Sequence, residues 1–323
     1  MLIIDAEQLR SLLPMGECID VMASAMADAS HGKVNMPPRL ILPVDDSGVQ
    51  FFVMPAASAV LDAYGAKLVS LTPENRVKGL PTIRGQFVLF EKSTGAPVAL
   101  IDAAALTAIR TAAASGLATQ LLARADARTC GIFGTGVQAA THLEAMCAVR
   151  RVAEILVWGR DFDRAKTWAT EQARVTGRRV IARRDPAEVA ACDLICTVTA
   201  SPVPILMGEW VRPGAHVNVV GCHSPTGRET DSALIVRSKV YVDRMESALK
   251  EAGDLMIPLQ EGAVMADHFR GEIGQVVAGQ LRGRESDDEI TLYKSLGIAA
   301  QDLYAGLHAF RKAQAVNRKS VRS

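Results

Sequence analysis

The order of hydrophobic and polar positions divides the chain into regions of different secondary structure. Between residues 14 and 31 the apolar side chains recur at helical spacing, which predicts a helix with one apolar face. From residue 39 to residue 102 the apolar positions form short runs rich in β-branched and aromatic residues, with turn residues between them. These runs predict an antiparallel or mixed sheet, and they read RLILPV, VQFFVMPA, AYGAKLVSL, TIRGQFVLFE and APVALID.

A different pattern follows residue 125. The stretch before it, residues 103 to 124, is rich in alanine and predicts one long helix. Beyond it, short apolar runs alternate with helical stretches, which is typical of βαβ units and predicts a doubly wound parallel sheet. The runs are TCGIF, EILVW, RRVIA, CDLICTV, VNVVG and KVYVD. Residues 290 to 312 then predict a long amphipathic helix.

Size and charge narrow the classes of partner. At about 150 residues per domain, a chain of 323 residues predicts two domains. The 36 Lys and Arg residues nearly balance 35 Asp and Glu residues, so the net charge of +1 gives no electrostatic reason to expect nucleic acid or an anionic membrane as partner. No apolar stretch approaches the roughly 18 residues of a membrane span. We therefore expect a globular α/β protein that binds neither nucleic acid nor membrane.

The cysteines and the amino terminus indicate the compartment. The six cysteines are scattered, form no CxxC pair and do not resemble a disulfide framework or a metal site. The first residues, MLIIDAEQLR, lack the basic region of a secretory signal. We expect reduced thiols, no bound metal and a cytoplasmic location.

The segment from Gly134 to Ala139 carries the sharpest motif, GTGVQA, which lies directly after an apolar strand and before a helical pattern. Gly134 permits a tight turn, Gly136 lets the backbone approach a pyrophosphate, and Ala139 stands where a third glycine usually lets helix pack on strand. The amino terminus of the following helix then faces the phosphates. The residues expected to bind a dinucleotide here are Gly134, Thr135, Gly136, Val137 and Gln138.

The end of the next strand distinguishes the two nicotinamide dinucleotides. An Asp or Glu at this point commonly binds the ribose 2′-hydroxyl of NAD. In this chain the strand EILVW is followed by Gly159 and Arg160, and a guanidinium suits the 2′-phosphate of NADP. Asp161 is expected to cap the next helix. The sequence therefore favours NADPH over NADH as cofactor, with a merely solvated Arg160 as the alternative.

A series of further motifs lies along the chain. They are Pro38-Arg39, Met54-Pro55-Ala56, Tyr64-Gly65-Ala66-Lys67, GLPTIRG at residues 79–85, AIRTAA at 108–113, TVTASP at 197–202, EAGDL and EITLYKSLG. Together with GTGVQA, and in this order, they resemble the ornithine cyclodeaminase/mu-crystallin family over nearly the whole chain. The resemblance implies a homodimer with an α+β substrate-binding and dimerisation domain at residues 1–118 and 299–323. A Rossmann domain at residues 119–298 would be inserted in it.

The resemblance also implies a substrate site. Arg39, Lys67 and Arg110 match the positions that hold the substrate carboxylate, and Met54 is expected to bind substrate as well. An arginine can bind a planar carboxylate through two parallel hydrogen bonds. Arg110 interrupts a helix of small and apolar residues, where a guanidinium needs an anionic partner; an internal salt bridge is the alternative. Lys67 is implied to lie near the reacting carbon and to move protons.

Further cofactor residues follow from the same resemblance. Thr111, beside Arg110, is expected to bond a cofactor phosphate. The other residues expected at the cofactor are Thr197, Val198, Thr199 and Ser295.

Two positions depart from the pattern of the cyclodeaminases. Those enzymes carry a catalytic Asp after the VNVVG-like strand, where this chain has His223, and an acidic residue two before the Met-Pro pair, where it has Phe52. Ornithine has a second ammonium that these carboxylates would hold, whereas a cyclic imine has none. The departures favour reduction of a preformed ring. Histidine titrates near neutrality, so His223 is a candidate proton donor, in competition with Lys67.

The sequence thus predicts an oxidoreductase that acts on C=N bonds. It would use NAD(P)H to reduce a small anionic imino acid, Δ1-pyrroline-2-carboxylate to L-proline or Δ1-piperideine-2-carboxylate to L-pipecolate. The alternatives are an ornithine cyclodeaminase, then an alanine or opine-type dehydrogenase, or a mu-crystallin-like protein that binds NADPH without turnover. The size of the ring stays open.

Overall fold

The computed structural model describes residues 1–320, which divide into two compact units. The first comprises Met1–Thr111 and the chain from Gly297 onward, and the second is Ala112–Leu296. The sequence-based boundaries stood at residues 118/119 and 298/299, so the observed divisions lie somewhat earlier in the chain.

A seven-stranded mixed sheet forms the framework of the first unit. Its strands are β1 (Leu2–Ile4), β2 (Val34–Asn35), β3 (Leu40–Pro43), β4 (Gln50–Ser58), β5 (Ala63–Leu71), β6 (Ile83–Glu91) and β7 (Pro97–Asp102). They lie in the order β1-β7-β6-β5-β4-β2, and β3 pairs with the other end of β4. Only β1 and β7 pair in parallel, so the sheet is mixed, as the short apolar runs predicted.

Helices complete the first unit. They are α1 (Ala6–Leu12), α2 (Met15–Ser30), the start of α3 (Ala103–Leu122) and the C-terminal helix at Ala299–Ser320. Cys18, Met22 and Met26 of α2 are completely buried, which confirms the predicted apolar face. The C-terminal helix packs against α2 and against β4, β5 and β6.

Two glycines bring β5 and the C-terminal helix close to Phe87 of β6. A Cβ at Gly65 or at Gly306 would lie 2.7 Å from the Phe87 ring, so neither position accommodates a side chain without a shift. Lys67 stands two residues from Gly65 on the strand, and Asp302 stands one turn before Gly306 on the helix. Strand and helix periodicity put each of them on the same face as its glycine. The close packing therefore directs both side chains toward the same part of the unit.

An eight-stranded, entirely parallel sheet forms the second unit. Its strands are β8 (Thr129–Phe133), β9 (Glu154–Trp158), β10 (Arg179–Ala182), β11 (Leu194–Thr197), β12 (His216–Val219), β13 (Ser238–Val242), β14 (Phe269–Glu272) and β15 (Ile290–Lys294). Its helices after α3 are α4 (Val137–Val149), α5 (Phe162–Thr176), α6 (Pro186–Ala190), α7 (Ser232–Arg237), α8 (Met245–Glu251), α9 (Gly253–Gln260) and α10 (Ile273–Val277). The strand order is β10-β9-β8-β11-β12-β15-β13-β14, which confirms the doubly wound Rossmann-type sheet.

The strand order reverses between β8 and β11. From β8 the chain proceeds to β9 and β10 on one side, and it then returns to β11 and β12 on the other. The loops that follow β8 and β11 therefore diverge at the carboxyl ends of the strands. Ligands of open parallel sheets bind in the crevice at such a point.

Residues Ile290–Lys294 form a strand, and the prediction of a helix from residue 290 was wrong in its first part. All five residues are buried, with β15 between β12 and β13, and the C-terminal helix begins only at Ala299. Ile290, Thr291 and Tyr293 have the branched or aromatic side chains that suit a strand. A strand covered on both faces shows no apolar–polar alternation, so its run of residues merged with the helical pattern that follows.

Candidate functional site

The GTGVQA motif lies at the carboxyl end of β8, in the strand–turn–helix context that the sequence predicted. Gly134 has a φ of +126°, a conformation that L side chains rarely adopt, and a Cβ there would lie 3.1 Å from the Val198 carbonyl oxygen. Gly136 is the N-cap residue of α4, and no heavy atom lies within 4 Å of the place where its Cβ would be. Ala139 is completely buried. The turn therefore leaves open space at the start of α4, where backbone N–H groups can meet phosphate.

Neighbouring strand ends surround this turn. The Gly134 N–H donates to the Trp158 carbonyl at 2.9 Å, and the Val198 N–H donates to the Phe133 carbonyl at 3.0 Å. A Cβ at Gly159 would lie 3.3 Å from the Thr135 side chain. The structure thus brings together the predicted cofactor residues after β8, β9 and β11.

Arg160 and Asp161 differ in role. Arg160 is exposed directly after β9 and Gly159. The Asp161 carboxylate accepts from the Arg164 N–H at 3.0 Å at the start of α5, which confirms the predicted helix cap. Arg184 follows β10, the edge strand beside β9, and its guanidinium lies 3.9 Å from the centre of the Phe162 ring.

Ser295 supplies a further test of whether a dinucleotide fits. It follows β15, its backbone N–H donates to the Val219 carbonyl at 3.0 Å, and its Oγ is buried without a hydrogen-bond partner within residues 1–320. A buried hydroxyl of this kind needs a partner, which a bound ligand group would provide. Together with the space at Gly136, this hydroxyl makes the second unit fit a dinucleotide.

The predicted cations of the first unit meet around one carboxylate. Lys67 on β5 lies 2.9 Å from the Asp302 carboxylate, and Arg110 Nε on α3 donates to the same carboxylate at 2.9 Å. The exposed fractions of these side chains are 3% for Lys67, 4% for Arg110 and 0% for Asp302. Lys67 Nζ also bonds Thr107 Oγ1 at 3.3 Å. The internal salt bridge that the sequence left as the alternative for Arg110 is therefore present, and its binding of a substrate carboxylate stays a prediction.

Arg39 and Gly297 border this cluster. Arg39 is half-buried and its Nη2 donates to the Gly297 carbonyl at 2.9 Å. Gly297 has a φ of +78°, and a Cβ there would lie 2.4 Å from an Arg110 guanidinium nitrogen. Arg110 Nη1 also donates to Gln301. A glycine is required at residue 297 because the backbone passes so close to the guanidinium.

Positive charge exceeds negative charge around Lys67. Burial lowers the pKa of Lys67 to about 7, with Arg110 and Arg39 acting in the same direction and Asp302 opposing them. A buried ammonium with two guanidinium groups nearby is therefore poised to lose its proton near neutrality. The surplus of positive charge attracts an anion.

The remaining predicted residues lie in both units. Met54 of β4 pairs in register with Lys67 of β5 and is buried, and Thr111 is buried beside Arg110 on α3. In the second unit, Thr197 and Thr199 hydrogen-bond the buried Glu229. His223 is exposed on the loop after β12.

Sequence reasoning missed Asp302 and Gln301. Both lie on the C-terminal helix in the run GIAAQDLYAGL, whose other residues are small or apolar. A charged side chain that interrupts a run of small and apolar residues is the signal that singled out Arg110, and Asp302 gives the same signal. It went unused because Asp302 is 192 residues from Arg110 and 235 from Lys67 in the chain.

Residues 1–320 offer neither a candidate membrane span nor a candidate metal site. No helix there is long and apolar enough to cross a membrane. No group of three or more His, Cys, Asp or Glu side chains there could hold a metal ion.

Comparison with known proteins gives full-length similarities. The model of the ornithine cyclodeaminase/mu-crystallin family matches residues 2–315. A Delta(1)-pyrroline-2-carboxylate reductase of Bacillus cereus is 36% identical over 315 residues, which are 97% of each chain. The Delta(1)-pyrroline-2-carboxylate reductase of Thermococcus litoralis, solved in complex with NADH and L-proline, has a TM-score of 0.95 at 37% identity and 98% coverage of both chains. An archaeal alanine dehydrogenase dimer with bound NAD has a TM-score of 0.91 at 32% identity, covering 98% of this chain and 97% of that one.

Proposed function

The chain belongs to the ornithine cyclodeaminase/mu-crystallin family, and on that premise we propose that it is an NAD(P)H-dependent ketimine reductase. Its substrates are Δ1-pyrroline-2-carboxylate, reduced to L-proline, and Δ1-piperideine-2-carboxylate, reduced to L-pipecolate. The pyrroline-2-carboxylate reductases of Bacillus cereus and Thermococcus litoralis, similar over nearly their full lengths, support this choice of reaction.

The observation that carries the proposal is the surplus of positive charge around Lys67. Lys67 and Arg110 both bond the buried carboxylate of Asp302, and Arg39 is close enough to act on Lys67; burial is the main cause of the lowered pKa of Lys67, and the two guanidinium groups lower it further. A substrate carboxylate would restore the balance. The bonds to Asp302 and Gln301 use Nε and Nη1 of Arg110, so its Nη2 can donate to the substrate carboxylate, with the positive charge of Arg39 nearby.

Lys67 also has the properties of the proton donor. When bound, the reduced nicotinamide supplies a hydride to the imine carbon. The imine nitrogen must be protonated so that this carbon can accept the hydride. Lys67 holds a proton that it can release near pH 7, and Asp302 keeps its Nζ in place. The arriving substrate carboxylate raises the pKa of Lys67 and so retains the proton until it is needed. His223 is the alternative donor, and the buried position of Lys67 favours the lysine.

Phe52 supports a cyclic substrate over ornithine. It lies on β4, two residues before Met54, and is opposite Val69 of β5. Phe52 has no carboxylate with which to hold the second ammonium of ornithine, and its ring tolerates the methylene groups of a cyclic imine.

We assign NADPH as the preferred cofactor and NADH as the second. The guanidinium of Arg160, exposed after β9, suits the 2′-phosphate, and the exposed Arg184 stacked on Phe162 adds positive charge on the neighbouring strand. The cofactor residues are those at which the second unit fits a dinucleotide, foremost Gly134, Gly136 and Ser295.

We further propose a cytoplasmic homodimer. Leu40, Ile41 and Leu42 of β3 are 57%, 42% and 53% exposed, which leaves an apolar strand on the surface of the first unit. A second copy of the chain would cover it, and the similar archaeal alanine dehydrogenase is a dimer. All six cysteines are unpaired, as expected for a reducing compartment.

A substrate panel tests the function. Oxidation of NADPH and NADH is followed at the nicotinamide absorbance band with each cyclic imine, and separately with pyruvate plus ammonia. Δ1-Pyrroline-5-carboxylate is the matched control, because its C=N bond is not adjacent to the carboxylate. We expect turnover with the two 2-carboxylates alone. Faster turnover with pyruvate and ammonia, or release of ammonia from ornithine, would identify an alanine dehydrogenase or a cyclodeaminase instead.

A further inference from the structure

Glu229 lies in the interior of the second unit with four hydrogen-bond donors around its carboxylate. Oε1 accepts from the backbone N–H of Thr199 and from its hydroxyl, both at 2.7 Å. Oε2 accepts from the Gly221 N–H at 2.7 Å and from the Thr197 hydroxyl at 3.0 Å. The side chain is completely buried. No sequence motif singled out this residue, and the proton transfer described above does not use it.

The four donors lie at the ends of two neighbouring strands. Thr197 is the last residue of β11, Thr199 lies in the loop after it, and Gly221 lies in the loop after β12. The loops are in tight contact, because a Cβ at Gly221 would lie 1.9 Å from the Thr199 carbonyl oxygen. One carboxylate therefore joins the carboxyl ends of two adjacent parallel strands, next to the point where the strand order reverses.

A second carboxylate fixes Glu229 itself. Asp254 Oδ1 accepts from the Glu229 N–H at 2.8 Å, and Asp254 Oδ2 accepts from Lys294 Nζ at 2.9 Å. Lys294 also donates to the Cys222 carbonyl at 2.7 Å, one residue before His223. The network thus extends from the loop after β11 to the segment that carries His223.

The donors require an oxygen at both ends of the Glu229 head group. Two of them are backbone N–H groups, Thr199 and Gly221, which can only donate, and they bond different oxygens of Glu229. Glutamine is nearly the same size, but in either orientation its NH2 group would face one of these N–H groups. The pKa of Glu229 is raised overall, because burial and the neighbouring Asp254 outweigh Lys294 and the bonds from Thr199.

We propose that Glu229 is a positioning residue for cofactor binding: it holds the loops after β11 and β12 in one arrangement, so that Thr197, Val198 and Thr199 present a fixed surface to the dinucleotide. The inference rests on the proposed function, because it takes those three residues as cofactor-binding. It assigns a role to Glu229, which acts only through these neighbouring residues, and this role requires Glu rather than Gln.

Asp193 provides a matched control within the same sheet. Its Oδ2 accepts from the N–H groups of Arg128 and Thr129 and from the Thr129 hydroxyl, at 2.9 to 3.0 Å, and its Oδ1 accepts from Arg124 Nη2 at 3.0 Å. It therefore joins β8 and β11 as Glu229 joins β11 and β12, but at the amino ends of the strands. In Asp193→Asn the oxygen can keep the first three bonds, and the NH2 group would face the Arg124 guanidinium. Loss of either carboxylate should destabilise the unit, whereas only Glu229 should affect the cofactor.

The test compares Glu229→Gln with Asp193→Asn in the full chain. NADPH affinity is measured by quenching of tryptophan fluorescence without substrate, and the melting temperature by calorimetry. We expect Glu229→Gln to weaken NADPH binding about tenfold or more, and Asp193→Asn to lower the melting temperature with affinity within twofold of the parent. Unchanged affinity in folded Glu229→Gln, or equal losses in both variants, would overturn the proposal.

Hydrogen exchange of the unsubstituted protein covers the case in which Glu229→Gln does not fold. The Thr199 amide should be protected even without cofactor, because it bonds Glu229, and its rapid exchange would overturn the proposal. Both measurements are independent of imine turnover. A parent that binds NADPH but reduces no ketimine would refute the proposed function alone.

Discussion

The ammonium of Lys67 lies 2.9 Å from a carboxylate oxygen of Asp302, and both side chains are buried in the first unit. Asp302 is shared, because Arg110 Nε bonds the same group. A buried ion pair contributes little net stability by itself, but removing one partner leaves an uncompensated charge, at a cost of about 3–5 kcal/mol. Asp302 therefore serves to position two cations, Lys67 and Arg110. Lys67 stays close to the pH at which it loses its proton.

Asp302→Asn should shift the pH dependence of the reaction. Asp302 raises the pKa of Lys67, so its loss lowers that pKa further below about 7. The decline of kcat/KM with rising pH should move to lower pH, while the KM for the imine changes less than kcat. The control is Glu17→Gln, which breaks an exposed ion pair with Lys312 and should leave the profile in place. An unshifted profile in Asp302→Asn would exclude Lys67 as the titrating group.

The parent profile itself has an expected form. A protonated Lys67 is required, so kcat/KM, which reports the free enzyme, should fall above about pH 7. Bound substrate brings a carboxylate that raises the pKa of Lys67, so the fall in kcat should appear at higher pH. The measurement is a set of initial rates from pH 5.5 to 9.5. Coincident limbs for kcat and kcat/KM would contradict a carboxylate bound beside Lys67.

Arg160→Ala should change the preference between cofactors. Only NADPH carries the 2′-phosphate, so its Kd should rise at least about tenfold while the Kd of NADH stays within twofold. Arg179→Ala is the matched control, because Arg179 is an exposed arginine at the start of β10, paired with Glu154. Equal effects of Arg160→Ala on both cofactors would refute the assignment of the 2′-phosphate.

Buried histidines should make the second unit sensitive to acid. Burial lowers the pKa of His142 to about 4 and that of His216 to about 3. Below about pH 6.5 these two imidazoles bind protons in the unfolded chain but not in the native protein. The free energy of unfolding therefore falls as the pH drops toward 4. The loss amounts to about 3 kcal/mol for His142.

Tryptophan fluorescence measures this effect, since Trp158, Trp168 and Trp210 all lie in the second unit. Urea unfolding between pH 7 and pH 5 should show the decline, and His142→Gln should reduce its slope. The control variant is Val175→Ala, at an exposed position without a titratable group, and it should leave the slope unchanged. A pH-independent unfolding free energy in the parent would contradict neutral native histidines.

Local signals predicted much of this molecule. The strand–turn–helix at Gly134 and the cap at Asp161 depend on residues a few positions apart, and both were correct in the structure. The strand at Ile290–Lys294 was missed because burial on both faces removes the alternation that identifies a strand.

Long-range pairs were beyond the sequence. Asp302 and Glu229 carry no motif, and their partners lie far along the chain, so only the packing of the C-terminal helix and the adjacency of β11 and β12 reveal them. Arg110 was singled out as a buried cation, but its internal partner could not be chosen among many carboxylates. Periodicity identifies faces of elements, whereas these networks depend on which faces meet.

Isotope transfer tests the central claim most directly. NADPH in which both hydrogens at C4 of the nicotinamide are replaced by deuterium is incubated with the protein and Δ1-pyrroline-2-carboxylate, and the product is analysed by mass spectrometry and NMR. We predict L-proline with one deuterium at C2 for each NADPH oxidised. Proline without deuterium, or oxidation of NADPH with no proline formed, would contradict a ketimine reductase.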